Sequence, residues 1–190
     1  MSTNVKKLTT MAMLIAISIV LVSLIHFPIF PSATFLEYDP ADVPILIGTF
    51  LFGPIAGICI TAAAAVIQGL TVSAQSGIYG IIMHFIGTGV RVLIAGCIYK
   101  RKKTRMNAVI GIVVGIVVGA LVMCGANLII TPIFMGAPRE AVVAMLLPVI
   151  LPFNLIKFTL NGAVTFIVYK FISRAFHKWE ETPTKEKQRA

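Results

Sequence analysis

Residues 106–134 read MNAVIGIVVGIVVGALVMCGANLIITPIF, 29 positions without one Asp, Glu, Lys or Arg. A helix rises about 1.5 Å per residue and a bilayer core is about 30 Å thick, so about 20 such residues suffice to cross it. This run decides the fold class: an all-α membrane protein. The whole chain agrees with it. Its 190 residues are 58% hydrophobic and 12% charged, with mean hydropathy +0.96. A soluble domain is about 45–50% apolar and about 25% charged, and a disordered chain is poor in apolar residues.

Reading outward toward the N-terminus, the run is preceded by a basic loop at 100–105 and an apolar stretch at 78–99. A polar loop at 71–77 separates that stretch from another at 54–70. Gly53-Pro54 makes a tight reversal, before which 42–52 forms a short span, about 16 Å as a helix. Such a span must be tilted, extended or shielded by protein. Asp42 reads as its N-cap, with Pro44 in the first turn. Two prolines, Pro28 and Pro31, end a first span at 8–27. Toward the C-terminus, a loop at 135–144 leads into a last span at 145–176. The expectation is a bundle of six transmembrane helices over residues 8–176, with a short tail at 1–7 and a charged tail at 177–190. The first span is expected to stay in place, since no small-residue cleavage site followed by a polar region is evident.

The net charge of +9 is read as topology rather than nucleic-acid binding, because loops rich in Lys and Arg stay cytoplasmic. With six crossings, thirteen of the sixteen cations fall on the side of both termini and the 100–105 loop. That side is expected to be the cytoplasm, placing the chain in the cell membrane and in contact with its lipid. The 35–42, 71–77 and 135–144 loops then face outward. The three cysteines, Cys59, Cys97 and Cys124, lie in apolar stretches without CxxC spacing and read as small buried apolar residues.

Polar groups inside spans are costly, so they are the functional candidates. Lys157 lies about 15 Å from the outer end of the last span, with Asn154 one turn away on the same face. A clamp to a carboxylate is the competing reading, and no carboxylate is expected inside any span. Asn127 in span five matches Asn154 in depth. His84 sits about one turn into span four. Arg91 is near enough the cytoplasmic end to snorkel and reads as structural. Gln68, near the outer end of span three, is assigned no role. Phe35, Tyr38 and Phe153 add aromatics at the same level. Together these residues suggest an outward-opening pocket for a planar, polar, neutral or weakly anionic molecule. The chain contains no GxxxxGK[ST], HExxH or GxSxG pattern.

The run Phe35-Leu36-Glu37-Tyr38-Asp39-Pro40-Ala41-Asp42-Val43-Pro44, with Phe52-Gly53-Pro54-Ile55-Ala56-Gly57, resembles the membrane substrate-binding subunits (S-components) of energy-coupling-factor vitamin transporters. Asn127 with Pro152-Phe153-Asn154-Leu155-Ile156-Lys157 is most similar to the riboflavin-specific branch. The resemblance implies a non-enzymatic subunit that binds one vitamin under the loop joining spans one and two, riboflavin as transported ligand, and no cofactor. It implies as partners a transmembrane coupling subunit and two cytoplasmic ATPases. Phe35, Leu36, Glu37 and Tyr38 would close over the ligand. His84, Asn127, Asn154 and Lys157 would contact it. Ala12 and Ala16, four apart on span one, fit the small-residue pair that meets the coupling subunit; close contact within the bundle is the other use of such a pair. His84-Phe85 stands where the riboflavin branch typically has Asn-Phe. The remaining alternatives are another vitamin or precursor in the same class, and an intramembrane enzyme or structural assembly subunit in another.

Overall fold

A computed structural model describes the backbone of residues 3–186 and the side chains of residues 4–169 and 171. Among the described residues seven helices follow one another: α1 (Thr3–Leu24), α2 (Asp42–Phe52), α3 (Pro54–Leu70), α4 (Gly77–Arg101), α5 (Arg105–Met135), α6 (Arg139–Met145) and α7 (Leu151–Glu186). Between α1 and α2, strand β1 (Phe27–Pro28) pairs antiparallel with β2 (Glu37–Tyr38). Four stretches of the described residues are long and apolar enough to cross a bilayer: Asn4–Leu24, Ala74–Arg101, Arg105–Met135 and Arg139–Tyr169. α2 and α3 are shorter.

The short α2 is shielded by protein, one of the solutions its length allows. Nine of its 11 residues are buried, and it packs against α1, α3, α4 and α7. Gly53 takes φ 93°, a left-handed conformation that glycine adopts without a Cβ clash, and Pro54 then opens α3. Beyond the reversal the two helices touch closely. A Cβ on Gly57 would stand 2.2 Å from Thr49 Oγ1, so only glycine lets the helices approach this near. Ile45, Leu46, Ile60 and Val92 fill the core beneath. The outward faces of the long helices carry Ile17, Val20, Leu121, Ile129, Leu160 and Ile167 exposed, as suits contact with lipid tails.

Several sequence expectations change. α1 starts inside the stretch read as a tail and ends at Leu24, three residues short of Phe27. The 135–144 loop holds α6, and the 71–77 loop holds a 3₁₀ turn at Ala74–Ser76. Asp42 is not the N-cap. Ala41 occupies that place without a side-chain bond, and the Asp42 carboxylate turns inward. Cys59 and Cys97 are exposed rather than buried. Helix α7 continues past Phe176 to Glu186, while Met1, Ser2 and 187–190 lie outside the described residues.

Leu146–Ile150 forms a π-helical turn between α6 and α7. Pro148 lacks an N–H for the carbonyl of Ala144, and Pro152 lacks one for that of Pro148, so the α-helical ladder cannot run through. Ala33 and Leu36 of the β1–β2 hairpin are buried against Val142, Ile150 and Phe153 at this junction. The hairpin is thereby seated on the start of α7.

Candidate binding site

One end of the bundle opens into a cavity with about 1030 Å³ of empty space, part of it open solvent at the mouth. The hairpin contributes Phe35, Leu36, Glu37 and the following Asp39; α3 contributes Gln68. His84 and Thr88 project from α4, Asn127 from α5, and Asn154 and Lys157 from α7. Seven of the eight ligand-contact residues expected from sequence therefore line one cavity. Tyr38 does not: its ring packs on Phe27, with centroids 5.4 Å apart. Burial, with a lesser effect from Asp39, raises the Tyr38 phenol above its ordinary pKa.

Beneath the cavity lies a buried ionic network. Asp42 Oδ1 accepts from Thr88 Oγ1 at 2.6 Å. Its Oδ2 accepts from Arg91 Nη1 at 2.5 Å and from Asn161 Nδ2 at 3.2 Å. Arg91 is only 2% exposed, with its guanidinium 4.1 Å from the Phe158 ring centroid. It does not snorkel. A carboxylate partner holds it in the interior, where an isolated charge would be too costly. Gly119 makes the room: a Cβ there would stand 2.8 Å from Arg91 Cγ.

Lys157 also has a carboxylate, supplied by the loop before α2 and not by a span, so the competing clamp reading holds as well. Its Nζ donates to Asp39 Oδ2 at 2.7 Å and to the Glu37 carbonyl at 3.2 Å. Asn161 donates to the Asp39 carbonyl at 2.9 Å, and Asp39 Oδ1 accepts from the Ala41 N–H at 3.0 Å. The clamp and the cavity wall are thus one arrangement, tying the hairpin to α7. Asp39 and Asp42 were missed as partners. The available signal was a balance: two cations in apolar helices, and two acids at the start of α2.

The asparagines are held by their own helices. Asn127 Nδ2 donates to Met123 O and its Oδ1 accepts from Thr131 Oγ1, both at 2.8 Å. Asn154 Nδ2 donates to Ile150 O at 2.8 Å. These bonds fix each amide's orientation at the cavity wall. His84 Nε2 is buried 3.9 Å from Asp42 Oδ1, beyond hydrogen-bond reach, and no described residue hydrogen-bonds to it. Ala12 and Ala16 stand exposed on α1, away from the cavity, so neither is used to pack helices within the bundle.

Residues 6–169 match the family described as ECF transporter, substrate-specific component. The riboflavin transporter FmnP of Bacillus subtilis (strain 168) is 29% identical over 186 residues, covering 94% of this chain and 95% of the relative. The riboflavin transporter RibU of Staphylococcus aureus (strain TCH60) is 31% identical over 171 residues, covering 87% and 89%. A solved S component of a bacterial ECF transporter superposes with TM-score 0.80 at 29% identity, covering 92% of this chain and 99% of that one. An S-component for biotin shares the fold at TM-score 0.62 and 20% identity, covering 90% and 95%. With more than four-fifths of its length inside the family match and four helices able to span a bilayer, the chain is a multi-pass membrane protein and belongs to the ECF transporter substrate-specific component family.

Proposed function

We propose that this chain binds riboflavin in the cavity beneath its β1–β2 hairpin and serves its uptake as the S-component of an ATP-driven ECF transporter. The observation that carries the reading is the cavity itself. It brings Phe35, Leu36, Glu37, His84, Asn127, Asn154 and Lys157 to one place from four separate parts of the chain. Aromatic Phe153 and Phe158 suit a planar ring, and amide and ammonium groups suit its polar edge. The names of the similar transporters point to the same ligand. The test is the absorption spectrum of the purified protein. A yellow preparation that releases flavin on denaturation is expected; a colourless one that does not bind added riboflavin overturns the assignment.

In this reading α2 and α3 complete six crossings, both termini lie in the cytoplasm, and the cavity opens outward. The five cations among residues 100–105 support that orientation. The chain supplies binding, and a transmembrane coupling subunit with two ATPases supplies the energy. The exposed Ala12 and Ala16 give the coupling subunit a face on which helices can approach closely. Ala12→Trp and Ala16→Trp are each expected to abolish ATP-driven uptake by the assembled transporter, with riboflavin affinity in detergent unchanged. Uptake at the wild-type rate would move the contact elsewhere.

A further inference from the structure

Two buried polar atoms at the cavity have no hydrogen-bond partner among the described residues: Gln68 Oε1 and His84 Nε2. Gln68 is 7% exposed, and its other amide end reaches Ser73 Oγ at 3.4 Å. Leaving such an atom unpaired in the interior is costly. The remaining orphan among the described residues, Asn161 Oδ1, does not line the cavity. The two that do stand on adjacent helices, α3 and α4, and Ser73 and Ser76 in the turn between those helices also line the cavity. Elsewhere α5 and α7 present Met123, Phe153 and Phe158 beside Asn127, Asn154 and Lys157, whose polar groups already have partners in the protein.

We infer that Gln68 and His84 form a hydroxyl-reading wall, which takes the ribityl chain while the flavin ring lies against the aromatic side. The inference rests on the riboflavin reading and adds Gln68 to the site. A hydroxyl both donates and accepts, so it satisfies the Gln68 carbonyl, and it satisfies the histidine nitrogen in either tautomer. A ring carbonyl only accepts and leaves Gln68 unpaired, and the single N–H on the ring edge can donate to only one of the two atoms. The two groups sit on different helices, and a flexible polyol reaches both more readily than one rigid ring edge.

The test compares riboflavin with lumiflavin, which has the same ring and a methyl group in place of the ribityl chain. Wild type, Gln68→Met and His84→Leu are titrated in detergent with each flavin, and the ligand-free proteins are melted. Each substitution is expected to weaken riboflavin binding about tenfold or more and to leave lumiflavin affinity unchanged. The empty variants should melt no lower than wild type, because an unpaired polar atom has been replaced by an apolar one. Unchanged riboflavin affinity overturns the inference. So does equal loss of both flavins, which would assign the two residues to the ring, or loss of both with a lowered melting temperature, which would assign them to holding the bundle. Failure of wild type to bind either flavin overturns the riboflavin reading itself.

Discussion

Arg91→Ala is expected to produce a large loss of stability, about 3–5 kcal/mol, read as a melting temperature in detergent lowered by roughly 6–20 °C. The reason is the carboxylate left behind. Asp42 is 1% exposed, and Arg91 is the cation bonded directly to it. Thr88 and Asn161 still donate to Asp42 after the substitution, but neither carries a compensating charge. The guanidinium also covers the Phe158 ring, and its Nη2 reaches the Phe158 carbonyl at 3.4 Å, so packing between α4 and α7 goes with it. Removing both charges should be far milder than removing one. Asp42→Asn with Arg91→Met is expected to recover most of the loss, because no unpaired buried charge remains. A wild-type melting temperature in Arg91→Ala would mean that water reaches Asp42, and would sink this account.

The contrast between Arg91 and its surroundings shows what a sequence of this kind discloses. Hydropathy and punctuation are local, so the bounds of α2, α3 and α5 are legible within a residue from Asp42, Gly53-Pro54 and the basic loop. The depth of Lys157 is legible for the same reason: it is a distance along one helix. Partnership is not local. Asp42 and Arg91 are 49 positions apart, and Asp39 and Lys157 are 118 apart. Asp42 has the spacing of an N-cap, and the chemistry of a cap offered a sufficient use for it. Which way its carboxylate turned depended on α4 and α7 meeting α2. The short α6 was hidden for another reason: seven residues carry too little periodicity to separate a helical turn from a loop. The cavity wall was legible where charge or amide sits deep in a span, at Lys157, Asn154 and Asn127. It was illegible at Gln68, where a helix end gives the same composition as an ordinary cap.

Lys157→Ala is expected to weaken riboflavin binding by about 2–5 kcal/mol, or about 30- to several-thousand-fold. Two effects combine in that figure. The ammonium stands at the cavity wall, 6.0 Å from the Phe153 ring centroid, where it is available to a ligand. It also fastens the hairpin, through the Glu37 carbonyl and the Asp39 carboxylate, to α7. The two contributions separate in a double-mutant cycle with Asp39→Ala. If Lys157 acts only by touching the ligand, its loss and that of Asp39 should add. If it acts through the fastened hairpin, whichever is removed second should matter little. Non-additivity of about 1 kcal/mol or more is the expected result, because Asn161 holds only the backbone carbonyl of Asp39 and cannot replace the ion pair. The hairpin supplies an independent readout. In the ligand-free Lys157→Ala protein, amides of residues 29–39 should exchange with solvent faster than in wild type, while those of α5 should not change. Unchanged exchange together with strict additivity would leave Lys157 as a ligand contact alone. Wild-type affinity in Lys157→Ala would remove it from the site.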